Sequence, residues 1–215
     1  MTELVITRDE RHRYFVNGAR WPAVTSVIGV INRPQLNRWR EQQGTRQADE
    51  IASTAANHGK LVHAMASLFA EGVPFVPLNE EEAANVGPRV DAFCHWYECN
   101  VAELYATELY VAHPKYHYAG ALDFLLRFKG DECPSVVDVK SGKSVWPEAK
   151  AQTAAYRDAA LAGIIPDLGF KKCRRGVLWV PAEPVGKCLF QEHSRHGADM
   201  QAFLSALYLT QWLKS

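Results

Sequence analysis

The stretch GALDFLLRFKGDECPSVVDVKSGKSVWPEAKAQTAAY, residues 120–156, decides how the rest of the chain is read. Its opening alternates. Leu122, Phe124, Leu126 and Phe128 share one parity and Asp123, Leu125 and Arg127 the other, which marks a strand whose Asp123 points away from the most apolar face. Lys129-Gly-Asp-Glu132 has the composition of a turn. The next strand, 135–140, sets Val137 and Val139 on one side and Asp138 and Lys140 on the other. With the turn centred on Gly130 and Asp131, Asp123 and Asp138 fall directly across from each other. A helix follows from Pro147, a suitable first helical residue, to Ala162, and Gly163 closes it. Glu148, Gln152 and Tyr156 recur at every fourth position along it and form one stripe, while Ala151, Ala154, Ala155 and Ala159 keep its other faces slim.

Working outward, a strand at about 104–112 precedes this stretch and turns at His113-Pro-Lys115, giving an antiparallel meander that feeds the helix. Downstream, a strand at 176–180 pairs with one at 187–193, and a last helix spans 197–213. Upstream, 48–71 reads as a helix with Ile51, Ala55, Gly59, Val62, Ala66 and Phe69 on its inner side and Gly72 past its end. A second helix, 80–100, carries Val86, Val90, Phe93 and Tyr97 on one face. Residues 12–24 form a hairpin about Asn17-Gly18, and Thr25 caps a short helix to Ile31. A further helix starts at Pro34 with Leu36 and Trp39 on one face; Arg33, Arg38, Arg40 and Arg46 around it are either solvated helix charge or an arm for DNA phosphates. This order predicts an α/β fold with a mixed central sheet flanked by helices, in which 48–215 form the core and 1–47 an N-terminal hairpin and helical segment packed on it.

The 215 residues are 47% hydrophobic, enough for a sizeable core, and Lys plus Arg balances Asp plus Glu at 24 each. No overall basic field therefore advertises a polyanionic partner, and any such contact must come from local patches. Cysteines at 94, 99, 133, 173 and 188 are odd in number and contain no C-x-x-C pair, which argues against a disulfide framework or a zinc ribbon. Neither a secretory n-region nor an apolar run of about 18 residues occurs, so the expected setting is reducing and cytoplasmic, with no membrane partner.

Two carboxylates facing each other across strands repel unless they share a proton or a cation sits between them. Oxygen ligands of this kind suit Mg²⁺ or Mn²⁺, and an added imidazole makes Mn²⁺ particularly acceptable. One imidazole is on offer in the upstream helix, where His63 lies one turn from Gly59, a position without a side chain that another backbone or a ligand can approach closely. A D-x-K triplet arises in many surface strands. Here a G-x-x-D strand precedes it and an amphipathic helix follows it at once. Beside a metal, Lys140 can position or help deprotonate an attacking water and stabilise the charge that develops on a phosphoryl group.

G-x-x-D (Gly120 to Asp123), D-x-K (Asp138 to Lys140) and Q-x-x-x-Y (Gln152 to Tyr156), in that order, resemble the PD-(D/E)XK nuclease superfamily, and the last element is similar to its RecB-type exonuclease branch. That branch carries a G-x-x-x-H helix, matched by Gly59 to His63, and a Glu on the first strand, for which Glu108 is the candidate. The run from Pro22 to Ile28 with Arg33, Pro34 and Trp39 is similar to the leading segment of phage and mitochondrial genome-maintenance exonucleases of this branch. Leu122 stands where a Pro would precede the Asp, and Asp138 replaces the more frequent Glu; both variants are familiar in the branch. The resemblance implies a restriction-endonuclease-like core of order α-βββ-α-β. It also implies metal ligation by His63, Asp123, Asp138 and the Val139 carbonyl, with Glu108 joining through water or a second metal, Lys140 serving the nucleophile, and Gln152 and Tyr156 near the DNA or bracing the site. Some members hold an iron–sulfur cluster on four cysteines. Only Cys173 and Cys188 lie beyond the core here, so no cluster is expected.

The expected activity is that of a Mg²⁺- or Mn²⁺-dependent deoxyribonuclease in recombination, repair or genome maintenance, acting as an exonuclease on single strands or DNA ends through a metal-activated water. Other recombination or replication proteins are its expected partners. DNA backbone contacts would draw on Lys115, Lys143, Lys150 and the cluster Lys171, Lys172, Arg174 and Arg175, a cluster that reads equally well as a solvated loop. Two alternatives share the same residues: a structure-specific or nicking endonuclease, and a non-catalytic DNA-binding protein on a nuclease fold.

Overall fold

A computed structural model describes residues 4–31, 38, 41–75 and 78–214, so the segment around Pro34, Leu36 and Trp39 lies outside the described residues. Three short strands, β1 (Ile6–Arg8), β2 (Tyr14–Val16) and β3 (Ala19–Trp21), form an antiparallel sheet in that order. Asn17 and Gly18, at φ of 49° and 81°, make the β2–β3 turn, the backbone that a two-residue hairpin of this hand requires. β1 was not anticipated; three residues are too few for a periodicity to register. Then come α1 (Val24–Ile28), α2 (Thr45–Ala70), α3 (Glu80–Asn100), β4 (Val101–His113), β5 (Tyr118–Phe128), β6 (Ser135–Lys140), α4 (Glu148–Ala162), the one-turn α5 (Ile164–Asp167), β7 (Arg174–Trp179), β8 (Leu189–Glu192) and α6 (His196–Trp212). Among the described residues no helix is long and apolar enough to cross a membrane.

The second sheet has the order β4-β5-β6-β7-β8 and is mixed: β6 and β7 run parallel, with α4 carrying the chain back between them, and the other pairs are antiparallel. Helices cover both faces. On one, Val24, Tyr118, Leu125, Val136, Ala155 and Phe203 join α1, α4 and α6 to the sheet. On the other, Phe93 and Trp96 of α3 pack with Phe124, Leu126, Val137 and Val139. Ala149, Ala151, Ala154, Ala155, Ala159 and Ala160 are all buried, so α4 lies close on the sheet, and Tyr118 pins it there by donating its hydroxyl to the Ala155 carbonyl at 2.9 Å. The N-terminal sheet joins β5 where the Ala119 amide donates to the Pro22 carbonyl at 3.0 Å. α3 starts with a reciprocal cap between Asn79 and Glu82 and runs through Gly87-Pro88 without a break.

Three expectations need correction. The inner stripe foreseen on α2 is buried only toward its C-terminal end: Val62 and Ala66 are fully buried, whereas Ile51 is 43% exposed and Ala55 is exposed. Its partners explain this, because Val86 and Val90 of α3 pack with Val62 and Met65 while nothing comparable among the described residues covers the first turns. Asp123 does not point away from a single apolar face, since both faces of the sheet are apolar. Strict alternation also fails beside it. Leu122 joins the cluster of Leu125, whereas Phe124 and Leu126 join the other, and Glu108, between the partners of Leu122 and Phe124 on β4, sits at a φ of 45°.

The β5–β6 register is the one read from the turn, with Phe124 opposite Val137, Leu125 opposite Val136 and Leu126 opposite Ser135. The paired ladder stops at Phe124 and Val137, one step short of the two aspartates. Past that point the Asp123 carboxylate takes over the role of a backbone carbonyl and accepts from the Val139 amide at 2.6 Å.

Candidate functional site

A cleft of about 900 Å³ opens where β5 and β6 end their pairing. His63 of α2, Glu108 of β4, Asp123 of β5, Asp138 and Lys140 of β6, and Gln152 and Tyr156 of α4 all line it. Side chains from five elements therefore meet at one place, although the most distant of them are 93 residues apart in the chain.

Each arrives for a local reason. Gly59 lets α2 lie against the chain leaving β6, since a Cβ there would sit 3.1 Å from Ser141 Oγ; one turn later, His63 Nδ1 reaches to 3.4 Å from Asp123 Oδ2. Glu108 takes a left-handed backbone that a non-glycine residue adopts only at a cost of about 1–3 kcal/mol. The conformation leaves its carboxylate beside Asp123: one ligand atom each from His63, Glu108 and Asp123 lies within 4.8 Å of the others. Gly120 has a steric role. A Cβ at that position would stand 2.6 Å from Cε1 of Tyr156 and 3.3 Å from Val24 Cγ2, so the glycine of G-x-x-D is the seat of the tyrosine of Q-x-x-x-Y.

Asp138 is gripped from two sides. Gln152 Nε2 donates to its Oδ1 at 2.9 Å, and Lys140 Nζ stands 2.7 Å from Oδ2. The Lys140 contact is not aligned as a hydrogen bond, which leaves Oδ2 a buried acceptor without one. Gln152 also approaches the Tyr156 hydroxyl at 3.4 Å. The Glu148, Gln152 and Tyr156 stripe is buried along its whole length, and so it turns toward the sheet rather than to solvent.

Burial and charge set the protonation of these groups. Burial pushes the Asp138 carboxyl up to about 6, in spite of Lys140, and neighbouring Asp123 pushes the same way. Burial works against the Asp123 carboxylate too, but His63 and Lys140 outweigh it and hold its pKa below the ordinary value. His63 and Lys140 are both raised: burial disfavours their charged forms, and Asp123 on the histidine and Asp138 on the lysine more than compensate. Burial and then Asp123 raise Glu108.

On the cleft floor the carboxylates of Glu108, Asp123 and Asp138 meet the His63 imidazole and the Lys140 ammonium, a donor set rich in oxygen with one nitrogen ligand, which suits Mg²⁺ or Mn²⁺. Oδ2 of Asp138, buried and answered only by the Lys140 ammonium at 2.7 Å, is the kind of oxygen such an ion can share. The tightest group is His63, Glu108 and Asp123; Asp138 stands outside it, held by Gln152 and Lys140. From Val139 the observed link is its amide, bonded to Asp123.

The basic residues expected to meet DNA fare differently. Arg175 is 1% exposed, donates to the Lys150 carbonyl and Thr153 Oγ1, and is ion-paired with Asp199 at 2.5 Å; a buried, neutralised guanidinium cannot serve as a surface contact. Arg174 is held by Glu192 at 2.6 Å and by Asp131. It pairs with Ser135, at the opposite end of β6 from Lys140, roughly 16 Å along a strand. Lys171 and Lys172 are exposed, but they precede Arg174 at that far end. Lys115 is exposed in the β4–β5 turn, with its ammonium 5.1 Å above the Tyr116 ring, and does not line the cleft. Lys143, just past β6, and Lys150, in the first turns of α4, are exposed near the cleft end of the sheet.

Several lining residues escaped sequence reasoning: Arg8, His12 and Tyr14 from the N-terminal sheet, and Lys60 from α2. Lys60 was legible in principle, since it falls three residues before His63 on the same helix. For Arg8 and His12 no local pattern points to the cleft; only the docking of the small sheet brings them there. No known protein-family model and no curated protein matches this chain.

Proposed function

We propose that this chain is a Mg²⁺- or Mn²⁺-dependent deoxyribonuclease of the PD-(D/E)XK kind, with a restriction-endonuclease-like core, acting as an exonuclease on single-stranded DNA or DNA ends. One observation carries the reading: seven residues singled out by motif and spacing line one cleft, with His63, Glu108 and Asp123 converging within 4.8 Å and Lys140 set 2.7 Å from Asp138. The ion would be held by His63, Asp123 and Glu108, with Asp138 at its edge, and when bound it supplies Lewis acidity toward phosphate oxygen and water.

The chain's own groups perform the rest. Lys140, kept protonated by Asp138, donates hydrogen bonds toward a phosphate oxygen and stabilises charge developing there. Asp138, with its pKa raised by burial, can take up a proton from water at the reacting centre. Gln152 fixes the Asp138 carboxylate through Oδ1, and Tyr156 walls the cleft behind it. Recombination, repair or genome maintenance is the setting that suits such an activity.

The test is digestion of end-labelled linear and of closed circular single-stranded DNA with Mg²⁺, Mn²⁺ or EDTA. Metal-dependent loss of the linear strand with the circle left intact is the expected result. Cutting of the circle would replace the exonuclease with an endonuclease, and no turnover with either ion would sink the enzymatic reading.

A further inference from the structure

The overall charge is balanced, and the basic cluster at 171–175 sits at the wrong end of the sheet, so the cleft needs another source of attraction for a polyanion. Two walls of the cleft carry one. On the N-terminal sheet, Arg8 ends β1 and His12 lies in the turn before β2, with the Arg8 guanidinium in contact with His12 Nδ1. On α2, Lys60 is exposed one turn before His63. Among the described residues neither Arg8 nor Lys60 is ion-paired with a carboxylate, whereas nearby Arg13 is bound to Asp9 at 2.6 Å. Arg8 touches His12 and its charge is felt by Glu108, yet like Lys60 it closes no ion pair with the acids of the floor among the described residues, so both keep charge directed at the cleft mouth. They are well placed for a ligand that brings its own negative charge to the rim while a cation neutralises the floor.

We infer that Arg8 and Lys60, with His12 beside Arg8, form a phosphate track across the mouth of the cleft, on which the backbone of a single nucleic-acid strand lies as its phosphodiester is presented to Asp123 and Lys140. The inference rests on the nuclease reading for what happens at the floor, but it concerns binding alone. An arginine on one wall and a lysine on the other contact phosphates flanking the reacting one and fix the strand's path. The track also gives the small N-terminal sheet a task, as one wall of a groove whose other wall is α2.

The experiment is fluorescence anisotropy of a labelled single-stranded oligonucleotide, with Ca²⁺ in place of the catalytic ion, across a salt series. Arg8→Ala and Lys60→Ala are each expected to weaken binding about three- to fivefold and to lower the salt dependence by about 0.7 in log–log slope, one phosphate contact apiece. Arg8→Lys should keep most of the affinity, and Lys171→Ala with Lys172→Ala should leave it unchanged. Unchanged affinity and slope in both Arg8→Ala and Lys60→Ala, or loss confined to the Lys171 and Lys172 variant, overturns the track. Cleavage assays on the same proteins separate the two ideas. A chain that binds through Arg8 and Lys60 yet cuts nothing with Mn²⁺ keeps the track and sinks the nuclease. One that cuts while both variants bind normally does the reverse.

Discussion

Single side chains in this molecule answer to the neighbours they were shaped for. Gly120 is the sharpest case: with Tyr156 Cε1 2.6 Å from where a Cβ would stand, Gly120→Ala must displace either the ring or β5. Overpacking of this kind costs about 1–3 kcal/mol, to be read as a lower midpoint in urea unfolding, and it should lower activity beyond that by moving Tyr156 and Gln152. The residue was legible in the sequence as part of a motif, but its reason was not, because spacing cannot say which ring lies over which backbone. His63 tests the metal group. His63→Ala removes the one nitrogen among the donors, and Mn²⁺ affinity measured by calorimetry should fall at least about tenfold while the fold is retained.

At the level of elements, the turn at Gly130 and Asp131 was enough to register β5 against β6, and four-residue spacing put Glu148, Gln152 and Tyr156 on one stripe of α4, though their burial against the sheet was not legible. What could not be read was where the pairing stops. Asp123 replaces a ladder carbonyl by accepting from the Val139 amide, and on the neighbouring strand Glu108 holds a left-handed backbone. Glu108→Gly would relieve that backbone while deleting a carboxylate, so stability should rise or hold while metal-dependent activity falls, a split that thermal melts and rate assays on one preparation would reveal. Within the basic run at 171–175, the place of Arg175 was illegible for a related reason: charge in a sequence has no direction, and here Arg175 is spent on Lys150, Thr153 and Asp199 inside the core.

For the whole molecule, α4, β7 and the chain after β8 are tied by a polar network whose protonation affects the stability of the fold. Thr153 Oγ1 lies 2.9 Å from His193 Nδ1, and burial together with the Arg175 charge holds the His193 pKa down to about 4. The folded value lies below the unfolded one, so the unfolded chain takes up a proton first as pH falls. Stability is therefore full above about pH 6.5 and declines toward about pH 4. Because the ring is only half buried, the loss should be about 1–2 kcal/mol rather than the larger figure a dry interior would give, and His193→Gln should flatten that part of the stability–pH curve. The acids of the cleft belong to the same whole, since the fold brings together on one floor charges that repel until a cation or Lys140 balances them. The most direct measurement is the single-turnover rate of Mn²⁺-dependent cleavage of a labelled single strand by the native chain and by Lys140→Ala, both checked as folded by circular dichroism. A drop of about 10²–10³-fold in the variant is predicted, and turnover that persists unchanged without the Lys140 ammonium would contradict the account.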